Sequence, residues 1–384
     1  MNHRSNYVID LIDSYSSSDV ARIPASLSNQ EVQHLYEVGL ASIALHRLAS
    51  NLDSTSETSR QLLQNADFTA RVIYGQLRAT TIEILELARK QDIPIVLLKG
   101  ISIADDLYLQ PHHRLMGDID VLAPVERARE LQDALSGIGY RSPEGPQATT
   151  LAEGHHHLPE IRHPESGISV EIHTALFSAT PMSSEPLFQI PTIWSCAEPS
   201  EYHGARCLFL RREFQLVYTI AHWAVDQKWT RNIVSINDMV LILRRTEPQI
   251  DWTLIASWLP ENPLVTNCLT VILSFLDDAG FINIPAAIKE EIDASAQRIG
   301  AANMKIMHWL MLKFPLSGST TVPSPVTRLI ARVVWQTMLE PRHKFLRPFV
   351  AVARIFFRRS RGKSVVGSIP GRIRTFIRLM REPQ

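Results

Sequence analysis

IVLLKGISIADDLYLQPHHRLMGDIDVLAP, residues 95–124, is the stretch that decides the fold. The apolar run IPIVLL, from residue 93 to 98, has strand character and stops at Lys99-Gly100, where ISIADDLYL takes up a helical pattern. A second strand pattern, GDIDVLAP, occupies 117–124. The two-residue period of a strand sends Asp118 and Asp120 to one face and Ile119 to the other. Two carboxylates held that close repel one another, so a site that keeps both needs a compensating cation. Hard oxygen donors suit Mg²⁺. At Lys99-Gly100 the glycine lets backbone approach an anion, the helix start offers free N–H groups and the lysine adds charge. The pair reads as a phosphate cradle, with Arg114 either a phosphate clamp or a surface charge. A bare Asp-x-Asp more often marks a solvated edge strand, so its surroundings decide.

Outward from there, a helix is predicted from Pro124 to about Gly137. A third strand is predicted at GISVEIH, 167–173, after a hairpin turn in PESG. On that strand Glu171 and His173 share a face opposite Val170 and Ile172, which makes Glu171 a third carboxylate. His155, His156 and His157 precede it. On a strand at most His155 and His157 converge, and zinc lacks further ligands nearby; one or two of these histidines are expected to line a pocket instead. Up to residue 92 the pattern is helical, broken by the polar NLDSTSETS. After a possible last strand at Arg206–Leu210 the chain returns to helix. There His222 and Asp238 are expected to form a buried hydrogen-bonded pair.

This arrangement resembles a family of uncharacterised bacterial nucleotidyltransferases within the DNA polymerase β-like superfamily. Lys99-Gly100, Arg114, Asp118-Ile119-Asp120-Val121-Leu122, Gly139-Tyr140, His156-His157 and Glu171-x-His173 carry the resemblance, over about residues 93–245. It implies an α+β fold: a small mixed β-sheet nucleotidyltransferase core with helical N-terminal and C-terminal regions. It also implies a catalytic, metal-binding set of Asp118, Asp120 and Glu171 holding Mg²⁺ and an NTP, with ATP the expected donor. Bridging metal ions at such a triad stabilise both the attacking and leaving oxygens of an in-line displacement. The implied reaction moves NMP to a hydroxyl of a small molecule, peptide or protein and releases pyrophosphate. The superfamily's glycine loop is Gly-Ser or Gly-Gly, whereas Ile101 follows Gly100 here. Lys99, Gly100, Ser102, Arg114 and His173 are therefore assigned to the nucleotide. Alternatives are a toxin-like transferase acting on RNA and a non-catalytic nucleotide-binding or membrane-associated scaffold.

The expected organisation is a helical region 1–92, the α/β core 93–210, a helical domain 211–340 and a basic tail 341–384. Composition places the chain among globular proteins: 384 residues, 45% hydrophobic and 20% charged. Lysine and arginine balance the acids at 39 each, but residues 341–384 hold twelve of the basic residues against one acid, Glu382. Within 345–381, arginines flank an apolar stripe, which suits docking on the chain's own acidic body or on another copy, and among outside partners favours an anionic membrane surface over RNA. Apolar runs are too short to span a bilayer. No signal peptide is read in the first residues, and Cys196, Cys207 and Cys268 have no metal-ligand spacing. The expected location is cytoplasmic, peripheral at the inner face of the membrane.

Overall fold

A strand whose two faces are both apolar needs cover on both sides, and the central strands meet that demand with helices. The computed structural model describes residues 6–17, 27–49, 55–143, 145, 155–226, 232–246 and 249–309. The basic tail and residues 310–340 of the expected helical domain lie outside the described residues.

Four helices come first: α1 (Tyr7–Ser16), α2 (Asn29–Glu37), α3 (Ala41–Leu48) and α4 (Glu57–Lys90). Ser28 opens α2 with a capping box to Glu31, the arrangement that satisfies two orphan N–H groups at once. Gly39, at φ +79°, breaks what reads as one periodic stretch into α2 and α3. The 34-residue α4 ends at the turn before β1 (Val96–Leu98). Then follow α5 (Lys99–Leu107), β2 (Asp118–Leu122), α6 (Val125–Gly137), β3 (Ile161–Arg162), β4 (Ser169–His173), α7 (Ile190–Ser195), β5 (Ala197–Tyr202) and β6 (Ala205–Leu210). The remaining described helices are α8 (Arg212–Asp226), α9 (Asn232–Thr246), α10 (Trp252–Trp258), α11 (Pro263–Asp278), α12 (Ala286–Ile299) and α13 (Ala301–Met307).

The strands form one mixed sheet in the order β3-β4-β2-β1-β6-β5. β2 runs parallel to β4 and antiparallel to β1, and β1 runs parallel to β6. The fold is thus α+β, a mixed sheet with helices before and after it.

Alternation divides the sheet between two apolar clusters. Leu97, Ile119, Val121, Val170 and Ile172 pack with Ile84, Leu85 and Leu131 on one side. Val96, Leu98 and Leu122 turn to the other, where α1–α3, α8, α9 and α11 meet. Each fully buried Leu or Ile contributes about 2 kcal/mol on its own, so the central strands are firmly held in register. The three cysteines are free and buried.

Candidate active site

The register of β1, β2 and β4 assembles the site. Asp120 pairs with Glu171 across β2 and β4, and with Leu98 across β1 and β2. Lys99, the next residue, therefore arrives beside Asp120, and its Nζ donates to Oδ1 at 2.6 Å. To do so the Lys99 backbone takes φ +52°, the left-handed region that disfavours a side chain. The left-handed residue of this turn is thus the lysine and not the glycine after it. From β4, the His173 Nε2 lies 2.8 Å from the same Asp120 oxygen and 3.6 Å from Glu171 Oε2.

Charge follows this geometry. Burial works to raise the Asp120 carboxyl, but the Lys99 charge and the His173 hydrogen bond hold it well below the usual carboxylate range. Burial pulls the other way on Lys99, yet Asp120 keeps it firmly protonated. The His173 hydrogen bond likewise lowers Glu171. His173 itself is raised: burial alone lowers it, and its bonds to Asp120 and Glu171 outweigh that. For Asp118, burial and the repulsion of Asp120 outweigh the relief that Lys99 and Arg114 give. It sits at the open end of β2, where the cleft walls strip away water and Asp120 repels it, and its carboxyl is pushed up to about 6.

The other expected nucleotide residues have structural partners. Arg114 Nη2 donates to Asp238 Oδ2 at 2.8 Å and Nε reaches both oxygens at 3.2 Å. Arg114 is neither a surface charge nor an unengaged clamp. Tyr108 also donates to Asp238, at 2.6 Å, and receives a bond from Asn237 at 3.0 Å. The His222–Asp238 pair expected from sequence is thus replaced by Arg114–Asp238–Tyr108. His222 instead joins Lys99 and Asp120 along the cleft wall, and burial drives it well below its ordinary pKa. Gly100 is needed because Arg114 crosses it: a Cβ there would stand 2.1 Å from Nη1. Ser102 Oγ donates back to the Lys99 carbonyl at 2.7 Å, and buried His173 faces the acids. Both therefore support Lys99 and the acids from behind.

The triple histidine is not a regular strand, so alternation does not govern it. The rings of His156 and His157 both approach His173, with centroids 5.0 and 5.5 Å away, and His156 bonds Ser178. Sequence reading missed Tyr218. From α8 its buried hydroxyl feels the charges of Lys99, Asp120 and Glu171 but has no hydrogen-bond partner among the described residues. An aromatic in a helical stripe gives no signal of that role.

A cleft of about 660 Å³ opens over Lys99, Asp118 and Asp120. Lys99, Gly100, Arg114, Asp118 and Asp120 line it together with Leu62, Ala66 and Ala70 of α4. The sequence profile of a family described as uncharacterised nucleotidyltransferase matches residues 32–264. The chain belongs to that family. No curated protein and no solved structure matches. The match begins within the N-terminal helices, so this nucleotidyltransferase uses α2–α4 as part of the family unit and not as an appendage to the sheet.

A divalent cation fits the donors present. Donor atoms of Asp120, Glu171 and His173 lie within 4.8 Å of one another, and Asp118 adds a carboxylate that burial and the neighbouring Asp120 push up, the environment a cation would relieve. Among the described residues of the transferase, no helix is long and apolar enough to cross a membrane.

Proposed function

We propose that this nucleotidyltransferase moves NMP from an NTP, ATP foremost, to an acceptor hydroxyl, with Asp118, Asp120 and Glu171 holding Mg²⁺. The observation that supports this best is the pairing of Asp120 with Glu171 across β2 and β4, with Asp118 on the same face and one lysine against them. Bound there, Mg²⁺ would neutralise the acids, polarise the α-phosphate and ease deprotonation of the acceptor hydroxyl. Lys99 supplies positive charge at the cleft for the triphosphate, and Arg114 and Gly100 border the same space. Glu171, part-exposed and ionised, is the group to accept the hydroxyl proton. His173 holds Asp120 and Glu171 in place, and Ser102 holds Lys99.

In this reading residues 93–210 carry the chemistry. Helices α2–α4, α8 and α9 shape the cleft for the acceptor, a small molecule, peptide or protein. Residues 345–381 rest on an anionic membrane surface.

The test is thermal stability with ATP, GTP, CTP and UTP, with and without Mg²⁺, for the wild type and Asp120→Asn. A ligand at one hundred times its Kd stabilises by about 2.7 kcal/mol, and no acceptor is needed. A Mg²⁺-dependent shift from one NTP, lost in the variant, is expected. Absence of a shift with all four would sink the transferase assignment of this site.

A further inference from the structure

We propose that Asp67, His112 and His113 form a second metal site, separate from the acid strands, that takes a tetrahedral first-row divalent cation, zinc foremost. The three side chains come from α4 and from the short turn Pro111–His113, and all three are buried. One donor atom from each lies within 4.8 Å of the other two. Donor atoms around a tetrahedral zinc with bonds of about 2.0 Å sit roughly 3.3 Å apart, so small side-chain rotations close the set. Two imidazoles and a carboxylate are a zinc-type donor set, in contrast to the oxygen-rich acids of β2 and β4.

The surroundings orient each ligand. Arg71 Nε holds Asp67 Oδ2 at 2.7 Å, which leaves Oδ1 toward His112 Nε2 at 3.1 Å. Tyr15 Oη engages His113 Nδ1 at 2.9 Å, so Nε2 is the nitrogen left for a metal. Partners of this kind fix ring orientation around bound metals. Burial, with His112 alongside, lowers His113 to about 3, and burial lowers His112 too. Neither ring needs to shed a proton near neutrality before it binds. His46 of α3 brings its ring centroid to 5.0 Å from that of His113 and is a candidate for the fourth position; water takes the position otherwise.

The site would join α4 to the segment that leads into Arg114 and Asp118, with Tyr15 of α1 and His46 of α3 packed around it. Its effect on catalysis is therefore positional. A metal clip at residues 112 and 113 fixes where Arg114 and the first acid of β2 begin.

Cobalt is the probe. The full chain, stripped with a chelator and titrated with Co²⁺ in the presence of Mg²⁺, should develop the intense visible absorption of a tetrahedral ion. Zn²⁺ should bleach it. His113→Gln, which can still bond Tyr15, should lose the band while keeping the native circular dichroism, and Asp120→Asn should keep both. No tetrahedral band in the wild type overturns the proposal, as does a band that survives His113→Gln and vanishes in Asp120→Asn. If His113→Gln fails to fold, zinc content of the wild-type chain as purified, by mass spectrometry, decides: about one zinc per chain, retained in Asp120→Asn, supports the site, and none rules it out. These readouts do not involve NTP, so the nucleotide reading stands or falls separately.

Discussion

Arg114 grips Asp238 through two of its nitrogens and, in doing so, lays the third over Gly100. The loop before the acids is thereby tied to α9 on one side and to the start of α5 on the other. A side chain at residue 100 and a neutral residue at 238 attack the same latch from opposite ends.

Gly100→Ala should destabilise the chain by about 1–3 kcal/mol, the usual effect of overpacking, because the new Cβ has Arg114 Nη1 at 2.1 Å. Urea unfolding measures it. Gly75→Ala is the control, since α4 leaves open space there, and it should stabilise by about 0.5–1 kcal/mol. Equal behaviour of the two variants would show that Arg114 does not cross residue 100.

Asp238→Ala leaves a guanidinium buried without its counter-charge and removes the acceptor of Tyr108. The expected loss is about 3–5 kcal/mol. Arg114→Lys keeps the charge but not the two-pronged geometry and should fall between wild type and Asp238→Ala.

Asp118→Asn should stabilise the metal-free chain at pH 7.5. The folded carboxyl titrates near 6, above its ordinary 3.8, so the fold binds the proton more tightly than the unfolded chain and its ionised form opposes folding. That penalty is absent below about pH 4, grows up to about pH 6 and is constant above. After allowance for solvent at this exposed position the gain is about 1 kcal/mol. The same variant should lose Mg²⁺-dependent NTP binding, so stability and function move in opposite directions.

Affinity for Mg²⁺ should fall by about tenfold per pH unit below pH 6, as a proton competes for Asp118. Isothermal titration with an NTP analogue across pH 5 to 8 reads it. Asp120 and Glu171 are held ionised by Lys99 and His173 and should add no step in that window.

The acids, Lys99 and the sheet around them are legible in the sequence because strand alternation and register act over a few neighbouring residues. Asp118, Asp120 and Glu171 fall on one face as their spacing requires. β5 was not legible: AEPSEY carries proline and two glutamates, and it becomes a strand through pairing with β6 across His203-Gly204, both at positive φ. Nor could spacing reveal that Asp238 belongs to Arg114, 124 residues away, because that choice is made by how α9 packs against α5. The left-handed Lys99 is the same kind of case. Its conformation is imposed by reaching Asp120, and glycine next door is the residue that local rules would choose.

β2 and β4 carry the acids on one face and Ile119, Val121, Val170 and Ile172 on the other. A slip of one residue between these strands and their neighbours would turn the apolar set toward the cleft and drive Asp118, Asp120 and Glu171 into the hydrophobic layer. Misaligned chemistry and failed folding are thus a single event for this protein. A population that has folded has its carboxylates aligned, and quality control that recognises exposed apolar surface also removes the inactive copies.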